Sequence, residues 1–436
     1  MSLEYHAPSG QGPTSGQADR DPARRSHTGK RPKKIFNPLQ RGIQDFVTNH
    51  LSPSTLSNYG LSPETLSSSL PKRFTAYEPL LLLPANAFSI PAPWGSLYQD
   101  LDAQQRHQLY ESLAAAFSHM GVTHIAINAP IAPTDTQGHE NRMRSPVGLI
   151  PLHGDFGPPP SGDGEEAQPS ELDFQHALWV RTVQNHGIVQ IWAPLYTMFS
   201  RGNITEKARI LGAFEGLDEG SLAGQEVGDV AVVDMYAGIG YFVFSYLKKG
   251  VRRVWGWEIN GWSVEGLRRG CVENGWGCRV VAVRDGALNV SVQELVESLD
   301  DQTRVVIFHG DNKHAARILS DVQRATEATR PGEWNSIRHV NLGLLPTSRA
   351  AWDNACSMVD AQRGGWLHVH ENIDIQEVEQ KKQEFTTELQ RIRSQAINSP
   401  AIAECRHVEF VKTYAPGVMH CVFDVRLSSP SDNGPK

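Results

Sequence analysis

Apolar residues follow two rhythms along this chain. From about residue 226 onward, short unbroken apolar runs alternate with stretches in which apolar positions recur at helical spacing. The first rhythm predicts buried strands and the second amphipathic helices. Ala231, Val232 and Val233 end one run at Asp234. Phe242, Val243, Tyr246 and Leu247 then fall on one helix face, with Gly250 at its stop. Val254-Trp255-Gly256-Trp257 predicts a second strand closed by Glu258, and a helix from about Trp262 to Asn274 stops at Gly275. Arg279 to Val283, Thr303 to Phe308, Ile337 to Val340 and Trp366 to His370 read as further strands. Val292 to Leu299 and a polar stretch from Ile375 to Ile397 read as helices. His407 to Val411 and Cys421 to Val425 flank Tyr414-Ala415-Pro416-Gly417 and predict an antiparallel pair. The expected fold is α/β: an open, mostly parallel Rossmann-type sheet with an antiparallel C-terminal edge.

The first third is patterned differently. Asn37-Pro38 is an N-cap followed by a proline suited to the first helical position, and Leu39, Ile43, Phe46 and Val47 line one face. Leu80 to Leu83, Ile125 to Ile127 and Val147 to Ile150 read as strands, and Leu109, Leu113 and Phe117 mark a helix stopped near Gly121. Residues 35–153 are therefore expected to form an α+β N-terminal domain. Residues 1–34, rich in Ser, Gly, Pro and basic side chains, predict a disordered tail, as do residues 429–436. Residues 154–170 carry Gly, Pro and acids and predict a flexible insertion. Residues 171–225 form a connecting segment, with Leu178 to Val183 and Ile188 to Trp192 as a hairpin through Asn185-His186-Gly187. Residues 226–428 hold the large sheet.

Charge and cysteine usage narrow the function classes. The net charge of −7 argues against bulk electrostatic binding of nucleic acid and leaves only local basic patches: Lys72-Arg73, Lys248-Lys249, Arg268-Arg269 and the N-terminal tail. The five cysteines form no CxxC pair and no zinc spacing, so no metal is expected, and their scatter suits a reducing compartment. The longest apolar run, Leu80 to Pro84, is far too short to span a bilayer. A soluble, cytoplasmic protein is expected, with no membrane partner and a guessed monomeric state.

The candidate chemistry begins at Asp234-Met235-Tyr236-Ala237-Gly238-Ile239-Gly240-Tyr241, a strand end, a glycine turn and a helix start. Such a unit cradles nucleotides. Glu258 lies about 20 residues past the glycine turn, the spacing at which a strand-end acid binds two ribose hydroxyls. The loop has one glycine fewer than the dinucleotide fingerprint, and Asp234 would repel a pyrophosphate. A nucleoside cofactor with a positive centre fits better, and S-adenosylmethionine is one. Asp311, Asn312, Asn341 and Pro346 follow other strand ends on the same expected edge. Asn203 and Glu206 have capping-box-like spacing, so a helix is expected to start there, with Ser200, Arg201 and Lys207 near its N-terminus. A helix N-terminus with these residues near it is a ready anion site, but without further context an ordinary capped helix with solvated basic side chains is the stronger reading. His368 and His370 alternate along one strand face, as a hydrogen-bonded pair or, with a third ligand, a metal pair.

Taken as a set, these segments resemble class I S-adenosylmethionine-dependent transferases, and more narrowly the tRNA wybutosine-synthesising aminocarboxypropyltransferase family. The matching stretches are Met198 to Asn203 with Glu206-Lys207, Asp234 to Phe242, Glu258 with Asn260, Gly310-Asp311-Asn312, His339 to Pro346, and Gly365 to Asn372. Similarity runs roughly over residues 175–425, and length and insertions look like a fungal member. The resemblance implies a class I methyltransferase-like fold. It also implies transfer of the 3-amino-3-carboxypropyl group of S-adenosylmethionine to 4-demethylwyosine beside the anticodon of phenylalanine tRNA, with methylthioadenosine released. On that basis Glu258 would hold the ribose, Asp311 the adenine amino group with Asn312 in support, and Tyr236, Gly238 and Gly240 would shape the cradle. Lys207, with Ser200, would grip the methionine carboxylate. Asn341, the catalytic candidate, stands where the sister tRNA guanine-N1 methyltransferases carry an Asn-x-Pro motif. Here Pro346 is five residues on, which disfavours simple guanine methylation and leaves the role of Asn341 open. Guanine-N1 methylation of tRNA and a non-catalytic tRNA-binding scaffold are the two alternatives. Trp262 and Trp352 are candidate platforms for an unstacked base, or core residues.

Overall fold

The computed structural model describes residues 37–62, 65–66, 70–128, 134, 141–146, 148–158, 168–199, 203–212, 217, 222 and 224–428. The expected tails at 1–34 and 429–436, the middle of the expected insertion, and Ser200 and Arg201 lie outside the described residues.

A small sheet comes first, in the order β1 (Thr75–Tyr77), β2 (Leu80–Leu83), β3 (His124–Ile127), β4 (Ile150–His153). The strand expected at Val147 to Ile150 begins instead at Ile150, because antiparallel pairing with β3 sets Ile150 against Ile127. The helices Pro38–His50 and Ala103–Ala116 pack on this sheet and on each other. Leu39, Ile43, Phe46, Leu81, Leu83, Leu109, Leu113 and Phe117 close its core. Gly42 permits the helix crossing, since a Cβ there would meet Leu113 Cδ2 at 2.9 Å. The hairpin β5 (Val180–Val183) and β6 (Val189–Trp192) follows, antiparallel as expected.

The large sheet is built from β7 (Val230–Asp234), β8 (Arg253–Glu258), β9 (Gly277–Arg284), β10 (Ala287–Leu288), β11 (Thr303–His309), β12 (Ser336–Leu342), β13 (Gly365–Asp374), β14 (Ala403–Ala415) and β15 (Val418–Leu427). Among the described residues its order is β10-β9-β11-β8-β7-β12-β13-β15-β14. In that order the strands from β9 across to β13 run parallel, and β14 and β15 add the antiparallel edge. Every residue of β7 and β12 is buried, as expected of parallel strands covered on both faces. β13 continues through Asp374 alongside β15, and Ile375 donates its N–H to Gly417 O. The polar helix therefore starts at Val378 and not at Ile375. From β7 the chain moves outward through β8 on one side and later returns to β12 on the other. That reversal leaves a crevice at the carboxyl ends of β7 and β12, where open α/β sheets bind ligands.

Candidate functional site

β7 delivers its last side chain, Asp234, into full burial beside the crevice, and burial pushes its carboxyl up to about 7. Asp234 Oδ1 accepts the Tyr236 N–H at 3.2 Å and so starts the turn. The turn is then stitched to both neighbouring strands. Met235 N–H donates to Asn341 O at 3.0 Å and Ala237 N–H to Trp257 O at 2.9 Å. Gly238 (φ +54°) donates its N–H to Glu258 Oε2 at 2.8 Å, and Asn260 N–H donates to Glu258 Oε1 at 2.8 Å. Gly240 takes φ +89°, and a Cβ there would stand 2.6 Å from the Phe244 ring and 2.8 Å from Leu267 Cδ1. The need for glycine at that position thus arises inside the protein, from the bend and the packing beneath it.

Burial raises the pKa of Glu258, and the amides of Asn260, Gly238 and Ile259 pull against it. Those amides leave part of the carboxylate's acceptor capacity free, since a carboxylate accepts at about four positions. Asp311 follows β11. Its Oδ1 accepts the Lys313 N–H at 2.9 Å, and its Oδ2 lies 3.6 Å from both Lys313 Nζ and Arg142 Nη2. Asn312 turns its amide inward, where Nδ2 donates to Met235 O at 2.7 Å and ties the end of β11 to the glycine turn. Tyr236 stands against this pair. Burial raises its phenol, the Asn312 side chain lowers it, and Asp311 raises it again.

The helix Ile204–Leu211 starts after Asn203, as expected, but for a different reason. The Asn203 side chain makes no capping bond. Glu206 is buried and holds Arg209, with Oε1 2.7 Å from Arg209 Nη2, so the capping box is not formed. Lys207 lies inside the protein, 8% exposed. Its Nζ is 3.4 Å from Gln190 Oε1 and 5.5 Å over the Tyr241 ring, and burial lowers it to about 8. Tyr241 in turn donates its hydroxyl to Met198 O. Ser200, the expected companion of Lys207, lies outside the described residues.

Asn341 is fully buried and pairs in register with Asp234. Tyr246 donates its hydroxyl to Asn341 Oδ1 at 3.3 Å, and the Asn341 side chain also hydrogen-bonds Asp234, pulling its carboxyl down against the effect of burial. The pair forms the floor of the crevice. Pro346 O accepts the Asn372 N–H at 2.9 Å. His368 and His370 are two separate hydrogen-bonded groups: His368 with His339 and Asp424, His370 with His420. Among the described residues no group of three or more His, Cys, Asp or Glu is arranged to hold a metal. Trp352 is a core residue, edge-on to Phe385, whereas Trp262 stacks on Tyr196 at 3.6 Å between centroids. Arg268 and Arg269 are both drawn onto Glu265, and Lys249 Nζ donates to Gly212 O.

The sequence reading missed a strap from the first third of the chain. At Asn141–Pro146, Arg142 faces Asp311, Arg144 donates to Leu345 O, and Met143 O accepts from Asn260 Nδ2 at 3.1 Å. No periodicity marks these residues, and their partners lie far off in sequence. No helix among the described residues is long and apolar enough to cross a membrane.

The donor and acceptor set fits S-adenosylmethionine. Glu258 and Asp311 offer acceptors to hydroxyl and amino donors, and Lys207 offers a cation to a carboxylate. A parallel sheet with a glycine turn after its central strand and acids ending the next two defines a class I methyltransferase-like, Rossmann-type transferase. No family model matches the chain. It is 38% identical over 357 residues to tRNA wybutosine-synthesizing protein 2 of Schizosaccharomyces pombe, a match that spans 82% of this chain and 72% of that one. It is 31% identical over 418 residues to the Saccharomyces cerevisiae protein of the same name, with 88% and 80% covered. The chain belongs to the tRNA wybutosine-synthesizing protein 2 family. In fold it is similar to Pyrococcus horikoshii TYW2 in complex with MeSAdo, with a TM-score of 0.51 at 18% identity over 89% of this chain and 99% of that one.

Proposed function

We propose that this chain transfers the 3-amino-3-carboxypropyl group of S-adenosylmethionine to the 4-demethylwyosine base beside the anticodon of phenylalanine tRNA, a step of wybutosine biosynthesis that releases methylthioadenosine. The observation that carries this reading is the combination of strand-end acids, glycine turn and buried Lys207 in a chain of this family. Residues 226–428 act as the cofactor domain, residues 171–225 complete its site, and residues 35–153 form the α+β N-terminal domain.

The sulfonium of the bound co-substrate activates each of its three attached carbons. The protein therefore need not build a nucleophile and has to choose which carbon faces the base, which is a matter of positioning. Glu258 fixes the ribose hydroxyls while its own orientation is held by Gly238 and Asn260. Asp311 accepts from the adenine amino group. Lys207 holds the carboxylate, so that the γ-carbon and not the methyl group is presented. Tyr236, Gly238 and Gly240 shape the cradle. Asn312 keeps the adenine side in step with the glycine turn through Met235 O. Asn341 stabilises the crevice floor under the incoming base.

Mass spectrometry of the nucleoside product and the spent cofactor tests this, with tRNA carrying 4-demethylwyosine. Gain of an aminocarboxypropyl group together with methylthioadenosine is the expected result. Methylated guanosine with S-adenosylhomocysteine would overturn it in favour of methylation. Binding of tRNA and cofactor with neither by-product would favour a scaffold.

A further inference from the structure

Behind the glycine turn lies a small cavity with several polar side chains on its lining, Gln184 among them. Lys207 comes from the helix Ile204–Leu211, Gln190 from β6 and Ser245 from the helix Val243–Lys249. Tyr241, the residue after Gly240, forms one wall, and Ile188, Ile204 and Leu211 supply apolar surface. Lys207, Gln190 and Ser245 are buried, 8%, 1% and 0% exposed, while Gln184 on the same lining is half-buried. Gln190 Oε1 lies 3.4 Å from Lys207 Nζ, which turns the amide nitrogen away from the lysine. That nitrogen and Ser245 Oγ have no hydrogen-bond partner. Among the described residues no carboxylate pairs with Lys207.

Buried donors without acceptors are unfavourable, and native interiors satisfy nearly all of them. Two orphaned donors, and a buried lysine whose one acceptor is a neutral amide oxygen, come from three elements around one cavity and describe a site that waits for an acceptor. A single cation and two neutral donors match the charge and oxygen count of one carboxylate. The aliphatic walls match a short carbon chain behind it. Tyr241 joins the cavity to the cradle, so the carboxylate is the one at the end of the cofactor's amino-acid tail.

We propose that Gln190 and Ser245 complete, with Lys207, the pocket that takes the carboxylate of the 3-amino-3-carboxypropyl group, and that they are specificity-determining residues for which carbon is transferred. This rests on the transfer reading above. It adds that one lysine is insufficient: the amide fixes the lysine's direction through Oε1 and binds one carboxylate oxygen through Nε2.

The test is calorimetric titration of the full-length protein with S-adenosylmethionine, its decarboxylated analogue and methylthioadenosine. Wild type is expected to bind S-adenosylmethionine about tenfold or more tightly than the decarboxylated analogue, the difference a charge-assisted hydrogen-bonded group makes. Gln190→Leu and Ser245→Ala should each erode that preference and leave methylthioadenosine affinity unchanged. Gln190→Glu is the second probe, because its carboxylate pairs with Lys207 and preserves the fold while occupying the pocket. It should abolish the preference altogether. Equal losses for all three ligands would reduce the residues to structural ones and overturn the proposal, as would a wild type that ignores the carboxylate. If the calorimetric pattern holds while the enzyme releases S-adenosylhomocysteine, the pocket stands and the transfer reading fails.

Discussion

At Lys207 the balance between burial and function is visible in a single ammonium group. Burial lowers its pKa from an ordinary lysine value to about 8. A base whose folded pKa is depressed carries a stability penalty at every pH below that value, and the penalty fades as pH rises from about 8 toward the unfolded value. A bound carboxylate reverses the preference by favouring the charged form. S-adenosylmethionine affinity is therefore expected to be flat below about pH 8 and to fall above it, while methylthioadenosine affinity stays level. Calorimetry at several pH values checks this, and parallel curves for the two ligands would count against a lysine–carboxylate contact. The role proposed for Glu258 is at the other end of the cofactor, where no such discrimination is expected. Glu258→Ala should weaken S-adenosylmethionine and methylthioadenosine equally, by about 1–3 kcal/mol, from loss of charged hydrogen bonds. Unchanged affinity would remove Glu258 from the site.

At the scale of elements, the helix Ile204–Leu211 owes its place to a chain of charges beneath it. Arg209 lies between Glu206 and Asp424, with Nη1 2.6 Å from Asp424 Oδ2. Asp424 Oδ1 continues to His368 Nδ1 at 2.7 Å, and His368 to His339 at 3.0 Å. Burial alone would raise the Asp424 carboxyl, but His368 and Arg209 outweigh it and hold it at about 2. Arg209→Ala leaves two buried carboxylates without their cation, and about 3–5 kcal/mol of stability should be lost in denaturant unfolding. A loss under about 1 kcal/mol would mean the network relaxes freely. This helix also shows how sequence legibility works. Its start was readable from Asn203 and Glu206, yet that spacing serves an ion pair with Arg209 and not a cap. β7, β8, β11 and the hairpin β14–β15 were readable because each follows its own local period. Gln190 was not, since a polar residue in a short strand gives no sign of the lysine opposite.

Over the whole molecule, what escapes sequence reading is what depends on distant pairing. Asn141–Pro146 has no local pattern, and its partners Asn260, Asp311 and Leu345 belong to the large sheet's crevice. Charge behaves the same way. Three basic pairs looked equivalent along the sequence, but Arg268 and Arg269 both pair with Glu265 and Lys249 donates to Gly212 O, and the exposed members are Lys72, Arg73 and Lys248. Replacing Lys72 and Arg73 by Ala should weaken tRNA binding and flatten its salt dependence by roughly one unit of slope for each phosphate no longer neutralised. The same replacement at Arg268 and Arg269 should leave the salt slope unchanged. Binding titrations across a salt series separate the two surfaces.

The strap has a consequence for inheritance. A gene fusion or recombination event that joined the large-sheet half to a foreign RNA-reading module would leave Asn141–Pro146 behind. The transplanted half would then lack the partners of Asp311, Asn260 and Leu345 at its crevice. Its two halves are thus expected to travel through descent as one heritable unit, with tolerated breakpoints before Pro38 or beyond Leu427 and not in the joint between them.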